Sequence, residues 1–424
     1  MVKINIDKIY TFLFSLLLLL LINIPTVHKE IKIPILFLLL IIVLYKVFSY
    51  KWYIQKDIAI LSMISILFGS FFIFNGVINS NAGALPSITV ILIWPFLYIL
   101  FIGGNGRRNI FLAIDKVLLF SAYFIPIYGF YFLLGKANII PSAFFFNIFP
   151  EDVMGGVGLY KGSIEVSILN LASILFIAPY VFTKFLLKNK IKEKFIYGIA
   201  IFLLIGLVFL SGRRALLLVT IGSFFLIFLF SYFIKLEDFG KKIRYNSFVL
   251  MLYIIFVTFI IVSMVLNYYE IDLYKIYEGI VEGLSFGSSS DSSTQARTEQ
   301  FFSLIDGWSQ SPVFGNGFGA VASVIRNEDM PWAYELSYLS LLFHTGLVGI
   351  IVYMSLIIWI IWQGLRISNN MKDIEYIFPY IVGLLSFLIG NISNPYLMKF
   401  DYLWVIFVPL MYINYYKLTY KERE

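Results

Sequence analysis

The chain has 424 residues, of which 60% are hydrophobic, 19% aromatic and only 13% charged, and its mean hydropathy is +0.88. A soluble domain carries about 25% charged residues, so an apolar excess this large excludes an ordinary globular protein and implies an all-α polytopic membrane protein. The lack of cysteine removes disulfides, thiolate metal sites and thiol nucleophiles, two histidines leave little for zinc, and the net charge of +7 follows membrane-flanking loops rather than marking a nucleic-acid partner.

At about 20 mostly apolar residues per crossing, twelve spans are expected. In chain order they lie near residues 10–24, 33–48, 58–78, 88–102, 117–134, 166–182, 195–210, 215–234, 247–266, 337–362, 376–392 and 402–416. Residues 1–266 thus hold nine spans, 267–335 form one long loop, and 336–424 hold three spans and a tail. The first span has a charged start like a signal peptide, but no small-residue cleavage site follows Ile24, so it is expected to be an uncleaved anchor. Lys and Arg fall mostly on the side of the two termini, roughly two thirds of the basic residues, which places both termini in the cytoplasm of a cell whose cytoplasmic (inner) membrane the protein crosses.

The segment between residues 267 and 335 is far longer than a link between spans needs to be. Its apolar Leu273, Ile276, Tyr277, Ile280 and Leu284 recur at helical spacing, predicting an amphipathic helix over 270–284, followed by a serine-rich hinge over 285–293. A second helix is predicted over 294–309, with Phe301, Leu304, Ile305 and Trp308 as its apolar stripe and Arg297 on that stripe in the first turn. A guanidinium on a buried face needs an anionic partner, and the helix N-terminus adds to its positive field. That partner is either a ligand or a nearby carboxylate such as Asp291 or Glu299.

Ser211-Gly212-Arg213-Arg214 joins two spans with almost no loop, on the outer side, where anchoring arginines do not belong. Successive helical residues point about 100° apart, so one of Arg213 and Arg214 is expected to face a cavity while the other reaches headgroups. Outward arginines near the membrane surface imply an anionic ligand held at the lipid interface, a phosphate or diphosphate, which planar guanidiniums bind bidentately. The Gly-rich stretch 312–319 lacks the Lys-Ser/Thr ending of a P-loop.

The order Arg297, Trp308, Pro312-Val313-Phe314-Gly315-Asn316-Gly317-Phe318-Gly319, Glu335-Leu336-Ser337-Tyr338-Leu339-Ser340 and Gly346-Leu347-Val348-Gly349 resembles the long outer loop of the O-antigen ligase and Wzy-type polysaccharide polymerase superfamily. The stretch 211–217 is similar to that family's small-residue-plus-arginine motif, while the rest of the chain agrees only in span count and topology. The resemblance implies a metal-independent, inverting membrane glycosyltransferase without cofactor, acting on the outer face on glycans carried by undecaprenyl diphosphate. It implies that Arg297 and Arg213 or Arg214 hold the diphosphate, whose charge as leaving group needs fixed donors. A chain-length regulator and a flippase are the partners it suggests beside membrane lipid.

At the position where the superfamily's ligases carry His followed by Asn, Ser or Gln, this chain has Glu335-Leu336, a departure that favours a polymerase. Glu335 is either a general base for the attacking sugar hydroxyl or an ion-pair partner that holds the loop. His344, nine residues on and half a helical turn away, is expected to be packed and structural, and His28 to lie in a surface loop. Trp308, Trp332, Tyr334 and Tyr338 are candidate glycan contacts, although aromatic residues crowd any membrane interface. The alternatives to a polymerase are a ligase-type transferase and a lipid-linked oligosaccharide flippase; the last would place charge between its spans.

Overall fold

The computed structural model describes residues 5–104, 108–150, 157–160, 163–166, 168–234, 245–268, 292–370 and 372–420. The predicted amphipathic helix over 270–284 and the hinge up to residue 291 lie outside the described residues. The described elements are α1 (Ile6–Asn23), α2 (Lys29–Phe48), α3 (Lys56–Ile78), α4 (Ala84–Gly103), α5 (Asn109–Lys136), β1 (Val157–Tyr160), β2 (Ser163–Val166), α6 (Leu169–Leu187), α7 (Ile191–Leu210), α8 (Arg214–Tyr232), α9 (Tyr245–Tyr268), α10 (Ser292–Ser309), α11 (Ser337–Ser368), α12 (Ile374–Gly390) and α13 (Trp404–Tyr420). The protein is an all-helical polytopic membrane protein, with β1 and β2 pairing in one short antiparallel hairpin.

Eleven helices among the described residues are long and apolar enough to cross a membrane, α10 and α13 being outside that set. Each of the twelve expected spans coincides with a helix; the last, α13, has 17 residues, about 25 Å at 1.5 Å per residue. Proline lies inside α2, α5, α6, α12 and α13 (Pro34, Pro126, Pro179, Pro379, Pro409), which membrane helices tolerate because neighbours re-satisfy the freed backbone groups.

The chain folds into two compact units that do not follow chain order. The first comprises Met1–Leu44, Arg107–Val281 and Gly364–Ile389; the second comprises Tyr45–Gly106, Glu282–Gln363 and Gly390–Glu424. In the first unit α6 is the centre, with nearly all of its residues buried, and packs against α5, α7, α8 and α9. Lys184 of α6 and the Tyr180 and Tyr380 hydroxyls all donate to the Asp115 carboxylate of α5. The expected span over 117–134 leaves Asp115 and Lys116 just before its start, but α5 begins at Asn109, which sets Asp115 six residues inside the helix.

The second unit contains a broken helix. Within α11, Gly346 has φ 62° and ψ −166°, so the regular pairing of Leu347 and Val348 N–H with the Phe343 and His344 carbonyls is interrupted. The Gly-rich stretch supplies all four missing partners. Asn316 N and Gly317 N donate to the Phe343 and His344 carbonyls at 3.0 and 2.9 Å, and the Leu347 and Val348 N–H groups donate to the Pro312 and Val313 carbonyls at 3.0 and 3.1 Å. On its other side the same stretch docks on the end of α3: Phe318 N donates to Phe72 O at 3.0 Å, and Asn81 Nδ2 donates to Asn316 O at 2.9 Å. Irregular backbone in a membrane protein persists where protein satisfies it, and here the stretch 312–319 and α11 satisfy each other.

Candidate functional site

The site in the second unit is built on α10, on the loop after it and on the start of α11. α10 begins at Ser292, two residues before the predicted start, so Arg297 is its sixth residue and lies in the second turn. The helix-dipole contribution fades beyond the first turn, which leaves the guanidinium's own charge as the main source of field. The buried face of α10 runs through Gln300, Ser303 and Leu304, and Arg297, one turn back from Gln300, falls at its half-buried margin.

The anionic partner of Arg297 is Glu335: Arg297 Nε donates to Oε2 at 2.9 Å. Glu299 instead accepts from Gln295, and Asp291 lies outside the described residues. A second guanidinium completes the arrangement, because Arg326 Nη2 donates to Glu335 Oε1 at 2.5 Å. Sequence periodicity gives no reason to single out Arg326; it lies in an irregular segment, and only the fold carries it to a residue nine positions on. The side chains of Arg297, Glu335 and Arg326 are 36%, 30% and 31% exposed, so a solute can reach all three.

α10 grips Glu335 by its backbone as well. Gln300 Oε1 accepts from Glu335 N at 3.0 Å and from Leu336 N at 3.2 Å, one helical turn along from Arg297. Gln300 is 1% exposed, and its Nε2 group, like the Ser337 hydroxyl, has no hydrogen-bond partner among the described residues. The far half of α10 is fixed through Asn316, whose Nδ2 donates to Gly307 O at 2.9 Å and to Phe343 O at 3.2 Å.

Two guanidiniums face one carboxylate, so the cluster carries a net positive charge. Each arginine commits one of its five N–H donors to Glu335, and the other four have no partner among the described residues. The nearby carboxylates of Glu328 and Asp329 make no ion pair with Arg326. Glu335 is therefore first of all an ion-pair partner. Its two oxygens offer about four lone-pair sites, so it also keeps capacity to accept a hydroxyl proton.

The aromatic candidates separate by position. Tyr334 is 3% exposed, packs on Phe343 and His344, and its hydroxyl accepts from Ala322 N; burial raises its phenol above the ordinary range, against the effect of the Ala322 N–H. Trp332 packs on Gly83, where a Cβ would meet the indole at 2.3 Å. Trp308 Nε1 donates to Pro312 O at 3.1 Å, at the opposite end of α10 from Arg297. Tyr338, half-buried, is hydrogen-bonded to Asn391. Of the four, Trp308, Trp332 and Tyr338 keep exposed surface. His344 is 5% exposed, with Nε2 3.2 Å from Ala320 O and Nδ1 3.3 Å from Ser340 Oγ, a packed residue as expected. His28 sits in the turn before α2, with Nε2 2.8 Å from Ile148 O.

The second arginine motif belongs to the first unit. Gly212, with φ 63°, turns the chain between α7 and α8, and Arg213 and Arg214 are half-buried at the start of α8. Arg213 Nε donates to Val166 O at 3.2 Å, and Val166 N donates to Ser211 O at 2.9 Å, so the end of β2 is locked onto the arginine turn. Among the described residues no three His, Asp or Glu side chains converge to hold a metal ion. Neither a protein-family model nor a curated protein matches the chain.

Proposed function

We propose that this membrane protein is a polysaccharide polymerase that joins oligosaccharide repeat units carried on undecaprenyl diphosphate, as in O-antigen or capsule synthesis. The observation that carries the reading is the pair of partly exposed guanidiniums, Arg297 and Arg326, converging on Glu335 beside the first residues of a membrane-crossing helix. A ligand whose diphosphate rides at a membrane surface matches the height, the charge and the unused donors of such a site. The bias of Lys and Arg toward the loops shared with the termini supports a site on the outer face of the cytoplasmic membrane, with both termini inside.

In this reaction the terminal hydroxyl of one lipid-linked repeat unit attacks the anomeric carbon of the growing chain. The bond to the diphosphate breaks, the diphosphate leaves with the electron pair, and the hydroxyl proton passes to Glu335. Arg297 and Arg326 take up the charge that gathers on the leaving diphosphate. Trp308, Trp332 and Tyr338 supply aromatic surface for sugar rings. A flippase would deliver the substrate and a chain-length regulator would act on the product.

The test is polymerisation by the purified full chain in nanodiscs, with lipid-linked repeat units as sole substrate and EDTA present. Wild type gives a ladder of longer lipid-linked products, and Arg297→Ala and Glu335→Gln lose it. A folded wild-type protein that forms no ladder yet carries labelled lipid-linked sugar across a vesicle membrane makes the protein a transporter instead.

A further inference from the structure

We infer that Glu335 is an internal occupant of an anion cradle formed by Arg297 and Arg326, and that a diphosphate takes its place there, releasing the carboxylate only when the ligand is bound. The identity of the lipid-linked ligand rests on the function proposed above; the exchange itself rests on the geometry.

Three observations carry it. Both Glu335 oxygens are occupied, Oε2 by Arg297 and Oε1 by Arg326, so the guanidiniums already hold an anion in the bridging geometry that two phosphate oxygens would adopt. The three side chains are each about a third exposed, so the ion pairs are weak enough for a multiply charged solute to displace one carboxylate. Finally, two buried donors beside Glu335 in the fold or the chain lack partners among the described residues. Gln300 keeps the Glu335 and Leu336 backbone in place through its Oε1, and its Nε2, one amide width away, is a buried donor without a partner among the described residues. The Ser337 hydroxyl, two residues along and 5% exposed, is a second such group.

Buried donors left unpaired are costly, and a charged acceptor is their best partner. In the closed arrangement the carboxylate neutralises the arginines while Gln300 Nε2 and Ser337 Oγ go without. In the loaded arrangement the diphosphate neutralises the arginines, and the carboxylate takes hydrogen bonds from Gln300 and Ser337. Every group has a partner in the loaded arrangement, which makes the exchange a switch set by the ligand. The consequence for chemistry is that the proton acceptor comes off the arginines only after the leaving group is held.

The test measures inorganic diphosphate binding to the full chain in nanodiscs by titration calorimetry, without any sugar substrate. Removing the internal anion in Glu335→Gln tightens binding by about two- to five-fold, the affinity that a partly exposed ion pair is worth, while Arg297→Ala and Arg326→Ala each weaken it. Ser337→Ala leaves the closed ion pairs intact but removes a partner of the released carboxylate, so it weakens binding by about two-fold or more. Should Glu335→Gln fail to fold, Glu335→Asp, whose carboxylate is drawn back by one methylene, shows the same gain. Binding no tighter than wild type in the folded Glu335 variant overturns the exchange, as does an unchanged affinity in Ser337→Ala. A second arm repeats the titration with a polyprenyl diphosphate in the nanodisc. The same gain there assigns the lipid-linked ligand, whereas a gain confined to inorganic diphosphate upholds the exchange and refutes the lipid-linked ligand, and with it the polymerase.

Discussion

Replacing Gly346 with alanine tests whether the broken helix holds the site. Its φ of 62° and ψ of −166° fall in a region open essentially to glycine, where another residue pays about 1–3 kcal/mol. A Cβ there would also sit 2.3 Å from Val313 O and 2.6 Å from Gly315 N, backbone atoms that cannot turn aside. The variant therefore has two routes. It keeps the break and carries both the strain and the clash, or it straightens α11. Straightening restores Leu347 N to Phe343 O and Val348 N to His344 O, but sacrifices the four hydrogen bonds to the stretch 312–319. That is a net loss of two bonds, about 1–3 kcal/mol, to which the undocking of Phe318 (3% exposed) from Phe72 adds about 1.5–3 kcal/mol.

Straightening thus costs Gly346→Ala about 2.5–6 kcal/mol, and keeping the break costs about 1–3 kcal/mol plus the clash. Thermal unfolding in detergent reads the loss, and faster proteolysis within residues 320–331 reports that the stretch has come away. Gly222→Ala is the control, since a Cβ there meets nothing within 4 Å and alanine in a helix interior gains up to about 1 kcal/mol. An unfolding temperature for Gly346→Ala equal to that of the control would refute the idea that the stretch 312–319 is held by the break.

Further predictions concern the cluster itself. Arg326→Ala lowers polymerisation by about 10²-fold or more, as Arg297→Ala does, and Arg326→Lys restores only part of it because an ammonium lacks the planar fork; full activity in Arg326→Ala, read as ladder length against time, removes Arg326 from the site. Gln300→Met keeps the volume but leaves the Glu335 and Leu336 N–H groups unpaired, costing about 1–3 kcal/mol of stability with a fall in turnover, and Gln300→Glu, which retains an acceptor oxygen, recovers most of the stability. Burial raises the Tyr334 phenol, so its contribution is complete below its ordinary pKa near 10 and is lost as pH rises through the raised value; Tyr334→Phe flattens that alkaline loss of stability in a denaturation series from pH 8 to 12.

Much of the fold was legible because lipid imposes long apolar runs. All twelve expected spans coincide with helices, and the periodicity of residues 294–309 located α10 to within two residues. The site was legible only in part. Arg297 was recoverable since a guanidinium on an apolar stripe demands an anion, but nothing local reveals that the anion is Glu335, 38 residues away. Arg326 and Gln300 have no local signature at all: one lies in an irregular loop, and the other reads as an ordinary polar helix residue until its amide is seen to hold the backbone of Glu335. Likewise the glycines of 312–319 are visible as a motif, while their use in completing a broken helix depends on chain segments some thirty residues later and well over two hundred earlier, which only tertiary structure joins.

The charge buried in the first unit bears on the choice between polymerase and transporter. Asp115 and Lys184 lie inside their helices, and Lys184 is 2% exposed, the kind of placement that marks a transport path. A transport site, however, must exchange its partners, whereas the Asp115 carboxylate accepts from Lys184, Tyr180 and Tyr380 at once and ties α5, α6 and α12 together. Such a saturated pair behaves as a structural bolt. Asp115→Leu alone strands a buried ammonium and costs about 3–5 kcal/mol, while Asp115→Leu with Lys184→Met removes both charges and recovers most of that loss. The double variant therefore polymerises at close to the wild-type rate. A double variant that unfolds at the wild-type temperature but forms no ladder would show that the pair takes part in function, and would move the search for the working site from the second unit to the first.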